Sequence, residues 1–227
     1  MLAWGFASSS KERRNAAGRR GRLLAASLGL ALWLCPGMIL ARQPLSEKFS
    51  RWLKEEVVYL ITEEERRAFL RLESDEARES FIQEFWDARN PARGSARNPA
   101  KEEHYRRLDY VNRNFGQASN TPGWKTDMGR TYILFGPPVF RASYTGYSQV
   151  CPLELWFYKN TTGNPSLPSF FYVLFFRPDD APEYRYYRPV LDGPMKLVRG
   201  TQFRSHSDVY EFLKPLGGDV ARAAFSL

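Results

Sequence analysis

Two carboxylates stand apart from the other acidic residues of this chain. Asp127 lies in a dense turn, GWKTDMGR, and Glu154 lies inside an apolar run, LELWFY. Paired Asp and Glu side chains can hydrolyse glycosides, one as acid and the other as base or nucleophile. Most of the remaining candidates, Glu63, Glu64, Glu65, Glu102 and Glu103, fall at expected helix starts. There they favour the helix dipole by roughly 0.3–1 kcal/mol each, which accounts for them. Glu154 alternates with Leu153 and Leu155, a spacing that puts it on the outward face of a strand. Metal chemistry lacks ligands. The two histidines, His104 and His206, are far apart, and neither C-x-x-C nor H-E-x-x-H occurs. No metal and no cofactor is expected, and His104 reads as a solvated or capping side chain. G-x-S-x-G and the P-loop are missing as well, so serine and nucleotide hydrolysis lose their usual signals.

Aromatic and basic residues offer a different chemistry. Tyr184, Tyr186 and Tyr187 interleave with Arg185 and Arg188. Such mixing can stack on a base, a sugar ring or a peptide. It equally suits a half-exposed strand carrying cross-strand tyrosine pairs. Trp156, Tyr158, Tyr184, Tyr186 and Arg188 are the candidate binding residues. Nucleic acid is not the expected ligand. The formal charge is +8, from 33 Lys/Arg and 25 Asp/Glu, but six of those bases and one of those acids lie in residues 1–41. The rest is only weakly basic, too little to argue for a polyanion.

The basic start precedes LLAASLGLALWLCPGMILA, residues 23–41. A basic region, an apolar run and a small residue, Ala41, make residues 1–41 read as a secretory signal peptide. An uncleaved inner-membrane anchor is the alternative, since about 19 apolar residues can just span a bilayer. Pro36 and Gly37 favour the signal. The protein is therefore expected to be exported, to the periplasm or beyond, and to meet the membrane only through this segment. Downstream, Cys151 is the one remaining cysteine. An internal disulfide is impossible there, so the domain must be held by its core. Cys151 reads as a small buried hydrophobe.

The elements that must position these residues follow from periodicity. Leu45, Phe49, Trp52 and Leu53 share one helical face, which makes residues 42–61 an amphipathic linker helix. Thr62 to Glu65 is a capping box opening a long helical stretch. Ser74-Asp75 is a point of restart, and Asn90-Pro91 closes it. A second helix spans about 100–115, with Gly116 as its cap. Pro122-Gly123 suits a type II turn. Beyond it, TYILF (131–135), LELWFY (153–158), FFYVLFF (170–176) and EYRYYRPV (183–190) are rich in β-branched and aromatic residues. Short connections make them antiparallel neighbours. The tail from Asp208 is helical again, broken between Pro215 and Gly218. The fold class is α+β: helices packed on an antiparallel sheet of four or more strands, with short C-terminal helices. Residues 62–200 form the main domain and 201–227 a C-terminal helical segment, plausibly cut short.

In GWKTDMGR each residue has a physical use. Gly123 supplies a positive φ, Trp124 is a large anchor buried between helix and strand, and Thr126 and Asp127 bond to nearby backbone N–H groups. Gly129 allows another unusual φ, and Arg130 enters the strand where Asp127 or a helix acid pairs with it. Gly136-Pro137-Pro138 then ends TYILF.

The same stretch resembles the GWxTD-domain family of bacterial exported proteins. Gly123, Trp124, Thr126 and Asp127 supply the motif. Phe85-Trp86 through Arg89-Asn90-Pro91 is similar to its FWxxRDP. Asn98 with Tyr105-Arg106-Arg107 is similar to its N…YYxR segment, and Phe115 to its "anxxF". Gly129-Arg130 to Pro138 resembles GRxYIxxGPPD, and Leu153 to Tyr158 its EIWxY strand. Asn90, Met128 and Val139 depart from that pattern, where Asp, Arg and Asp are usual. The resemblance covers about residues 62–160 and implies export and a shared domain, with no activity to carry over. The expected function is a non-catalytic exported domain binding a partner protein or cell-envelope polymer. The alternative is an envelope hydrolase using Asp127 with a second carboxylate. The motif residues Gly123, Trp124, Thr126, Asp127, Gly129, Arg130, Gly136, Pro137 and Pro138 are structural in the first case and a site in the second.

Overall fold

The structure is a computed structural model and describes residues 45–161 and 164–225. The basic stretch and the apolar run 23–41 lie outside the described residues. What is described folds as one unit with an antiparallel four-stranded meander in its middle, β1 (Phe140–Tyr144), β2 (Leu153–Lys159), β3 (Phe170–Phe176) and β4 (Arg185–Tyr186), in the order 1-2-3-4. Short loops force this antiparallel neighbour pairing. The register sets Phe140 opposite Phe157, Leu155 opposite Leu174 and Phe175 opposite Tyr186.

Helices cover both faces of the sheet. On one face lie α4 (Pro99–Asn114) and α5 (Asp127–Phe135), packing Leu108, Val111, Met128, Tyr132 and Ile133 on Trp156, Tyr158 and Phe175. On the other lie α7 (His206–Leu213) and α8 (Gly218–Phe225), packing Val209, Leu213, Val220 and Ala224 on Leu153, Leu155, Leu174 and Phe176. A strand covered on both sides is buried on both of its faces, which explains why LELWFY is apolar at every position but Glu154. A short α6 (Pro189–Asp192) follows β4.

The N-terminal segment packs into the same unit. α1 (Glu47–Arg51) runs on into a wider π-helical turn, Trp52–Glu56. Phe49, Trp52 and Leu53 meet Phe69 of α2 (Glu63–Arg71) and Phe85 and Trp86 of α3 (Asp75–Ala88) in an aromatic subcore. The Thr62–Glu65 capping box forms with both reciprocal bonds. Ser74 restarts the chain as the N-cap of α3, accepting from the Ala77 N–H.

Three expectations need correction. TYILF is not a strand but the second half of α5. Thr126 is its N-cap, accepting from the Gly129 N–H at 3.0 Å. Met128 and Tyr132, and Gly129 and Ile133, then fall on one buried face at helical spacing. The β-branched composition lost to that cap and to the packing on α4. Next, neither Gly123 nor Gly129 has a positive φ. They are glycines because backbones touch there. A Cβ on Gly123 would sit 1.9 Å from the Val111 carbonyl oxygen of α4, and one on Gly129 would sit 1.9 Å from the Gly123 carbonyl oxygen. The positive φ belongs to Gly136, at +79°, which ends α5. Finally, His104 is neither solvated nor a cap. It is buried against Trp86, and its Nε2–H donates to the Glu56 carbonyl at 2.7 Å.

Two outcomes follow. Gly→Ala inside a helix normally stabilises by about 1 kcal/mol. Gly129→Ala should instead destabilise by about 1–3 kcal/mol, because the added methyl overpacks a backbone contact. A urea melt that showed Gly129→Ala more stable than the parent would contradict the close approach. Burial, above all, holds the His104 pKa below its ordinary 6.5, with Arg107 adding to it and the Glu56 carbonyl opposing. The unfolded chain therefore binds this proton first, and stability should fall as pH drops below about 6.5. The difference in unfolding free energy between the parent and His104→Gln should carry that slope, and become independent of pH above about 7.

Candidate functional site: the GWKTDMGR turn and the clefts beside it

Between α4 and α5 the chain makes a single 3-10 turn, Gly123–Lys125. The turn is tied down from three sides. The Trp124 N–H donates to Asn112 Oδ1 of α4 at 3.1 Å, and its carbonyl accepts from the Tyr59 hydroxyl at 2.9 Å. The Thr126 hydroxyl donates back to the Gly123 carbonyl at 2.8 Å while capping α5. Asp127 does not bond nearby backbone. Its Oδ2 accepts from the Tyr186 N–H at 2.7 Å, which fixes β4 to the start of α5 across 59 residues. The Thr131 hydroxyl, bonded to the Asp127 carbonyl, meets the Tyr186 hydroxyl at 2.7 Å and doubles that link.

Arg130 pairs with no carboxylate among the described residues. Its guanidinium lies 5.3 Å from the Tyr59 ring centroid. The Tyr59 phenol is pushed up mainly by its burial, and Arg130 opposes that shift. Trp124 is half-buried rather than buried, edge-on to Tyr59 at 6.3 Å and with Lys125 Nζ 5.0 Å from its ring. At the far end of α5, Arg107 Nη1 donates to the Ile133 carbonyl at 3.1 Å, and the Tyr158 hydroxyl donates to the Gly136 carbonyl at 3.1 Å. Pro137 and Pro138 then carry the chain into β1.

The other motif residues are committed in the same way. Arg89 makes a forked pair with Glu65, both contacts 2.8 Å, and covers the Phe85 ring at 3.6 Å. Asn98 caps α4 through Lys101 N–H and donates to the Trp86 carbonyl. Asn90 accepts from the Ala92 N–H at 2.9 Å, an acceptor's duty that Asp would fill equally. The Tyr105 hydroxyl donates to Glu56 at 2.8 Å.

The candidate binding residues are not brought together on one surface. Trp156 is 0 % exposed and Tyr158 3 %, so both are core and present no ring to a ligand. Tyr186 is spent on α5. Arg188 is exposed and 3.7 Å from Asp192. Tyr184 alone reaches a cleft. Glu154 also corrects its expected place: it points inward, 8 % exposed, because β2 is covered on both faces.

Four clefts stand out, and Asp127 lines none of them. The widest, about 890 Å³, is a trough between α3, the 91–98 loop and α4. Its Asn90 and Asn98 are the turn and cap groups just described. A second, about 350 Å³, runs beside Trp124 and Asn112. A third lies under Leu134 and His104, and the fourth, about 280 Å³, closes over Glu154. Among the described residues no group of three or more His, Cys, Asp or Glu could hold a metal.

An exposed aromatic apron lies at one end of the sheet, and sequence reasoning missed it. Phe140, Phe157, Phe170 and Tyr172 share the α7–α8 face but lie at the sheet end where β1 and β2 pair Phe140 with Phe157 and β2 and β3 pair Lys159 with Phe170. Phe140 is 58 % exposed and Phe170 63 %, with exposed Val139 beside them. Only the run FF in FFYVLFF and the unusual V-F after two prolines hinted at it.

The fold and its motif define a class: an α+β domain whose signature residues are internal clamps joining helices to a meander sheet. The chain belongs to the GWxTD domain family, whose model matches residues 40–188. The match takes in α1 and ends at Arg188, before α7 and α8. Searches of curated proteins and of solved structures find no match.

Half-burial lowers what Trp124 can contribute. Trp124→Ala should cost about 1–2 kcal/mol, whereas Trp156→Ala should cost about 3–5 kcal/mol as a core truncation. Asp127→Asn keeps an acceptor and loses charge assistance, for about 1 kcal/mol. Urea midpoints of the three variants test this order; a Trp124→Ala loss as large as that of Trp156→Ala would contradict it.

Proposed function

We propose that this chain is an exported, non-catalytic domain of the cell envelope that binds a partner protein through the aromatic apron. The single observation that carries the reading is that apron, an exposed apolar surface that the fold itself does not use. Its rings are tilted, not coplanar: Phe157 meets Phe170 and Tyr172 at 45° in each case. A sugar polymer wants a flat platform, while an irregular apolar surface suits the side chains of a protein. The apron also borders β1, whose outer edge pairs with no strand among the described residues. An edge strand offers backbone donors and acceptors to an extended partner segment. The motif supports a non-catalytic role, because Thr126 and the carboxylate of Asp127 are taken up by backbone partners. Export rests on the basic stretch and the apolar run before Arg42.

The test is site-specific photo-cross-linking in the native host. A photoreactive phenylalanine analogue replacing Phe140 or Phe170 should give one discrete adduct in the envelope fraction. The same analogue replacing Ala68, exposed on α2, should give none. Phe140→Asp should abolish the adduct formed from position 170 without lowering the melting temperature. Equal labelling from all three positions, or none, would overturn the binding face, and cytoplasmic fractionation would overturn export.

A further inference from the structure

The cleft over Glu154 holds charged chemistry that neither the clamp nor the apron uses. It opens between the end of α4, the first turn of α5, strands β1 and β2, and the 177–184 loop. Glu154 forms its floor. Oε2 of that carboxylate accepts from Arg141 Nη2 at 3.1 Å and from Trp156 Nε1 at 3.3 Å. Among the described residues no protein group donates to Oε1. Arg141 also lies 5.0 Å from the Trp156 ring centroid, so this ion pair is braced from below. At the rim, Glu183 is occupied, its Oε1 accepting from the Ser119 N–H and hydroxyl. Arg177 is not. Its guanidinium sits 5.6 Å from the Tyr184 ring centroid, and among the described residues it pairs with no carboxylate. The Tyr184 phenol feels the whole group: burial raises its pKa first, Glu154 raises it further, and Arg177 and Arg141 oppose.

We propose that this cleft binds a small zwitterion of the α-amino-acid type. The unspent guanidinium of Arg177 takes the ligand's carboxylate in a forked pair, and Oε1 of Glu154 takes its ammonium. The pairing fits the unspent groups one to one. A phosphate or sulfate fits worse, since a dianion would face the Glu154 and Glu183 carboxylates. A simple amine fits worse too, since it would leave Arg177 unused. At about 280 Å³ the cleft lies just below the range of drug-sized ligand sites, roughly 300–1,000 Å³, which sets the ligand's size. The proposal is independent of the apron and survives its failure.

The Trp156 indole N–H, bonded to Glu154, reports on the cleft directly by ¹⁵N NMR, assigned by its loss in Trp156→Phe. L-Alanine should shift it saturably, with a dissociation constant on the order of 1 mM, which is modest for so few atoms. Acetate should bind several-fold more weakly, and sodium chloride at equal ionic strength should leave it in place. Arg177→Gln, an exposed substitution expected to fold normally, should remove both responses. Glu154→Gln should bring alanine down to the level of acetate. No saturable shift, or an equal one in Arg177→Gln, would overturn the site. Equal affinity for alanine and acetate in the parent would overturn its assignment to a zwitterion.

Discussion

The contact on which the rest depends is backbone on backbone. The Gly123 carbonyl meets Gly129, and Gly123 itself meets the Val111 carbonyl of α4, at separations where no side chain fits. Such contact seats the turn on α4 and the first turn of α5 on that turn. Everything downstream inherits that placement. Once α5 is seated, Asp127 reaches the Tyr186 amide and Thr131 the Tyr186 hydroxyl, so β4 is positioned from the helix layer. At its other end, Arg107 and Tyr158 hold the carbonyls that α5 leaves open, and Gly136 turns the chain toward β1. A clamp of this kind needs small residues, a cap and one long-range acceptor, which is the composition of GWKTDMGR.

Covering a small sheet on both faces has a second consequence. Positions that alternation would assign to solvent become interior, as Glu154 and Trp156 show on β2. A carboxylate so placed must find donors, and it finds Arg141 and the Trp156 indole. Two of the four strands, β1 and β4, are short and lie at the edges, and the apron leaves Phe140 and Phe170 in water at one end. Burial and exposure at the two ends of β2 therefore have one origin: the sheet is longer than its cover.

Much of the helical half was legible in the sequence, because caps are local. Thr62–Glu65 and Ser74 each satisfy an amide three residues on, and such spacings can be read without a fold; Asn98 caps α4 in the same way but was read only as part of the family pattern. The two well-filled strands, β2 and β3, were legible from composition, and so was the antiparallel pairing of their neighbours. The five-residue β1 was not: FRASY alternates apolar and polar residues, but it is short and its Arg, Ala and Ser are not strand formers. TYILF misled for the opposite reason. Its residues favour a strand, and only the Thr126 cap, read as a loose turn, spoke for a helix. The two glycines were read as flexible φ positions when their role is distance. Distance to a segment twelve residues away leaves no trace in local propensity.

The candidate site was legible only as a density of special residues. Asp127 has the look of a catalytic acid in a loop, yet its partner is a main-chain amide 59 residues on, and no spacing rule points there. The departures from the family pattern carry the same lesson. Asn90 keeps an acceptor for the Ala92 N–H without a charge, and its amide also donates to the Arg97 carbonyl at 3.4 Å. Val139 is exposed beside the apron, where a loss of charge extends an apolar surface. Met128 packs on the sheet and lines the Glu154 cleft. A side chain without charge there leaves the Arg141–Glu154 pair and the unpaired Arg177 as the cleft's charged groups, together with Glu183, which Ser119 already holds. None of the three departures belongs to the clamp's hydrogen bonds, while Val139 borders the apron and Met128 the Glu154 cleft.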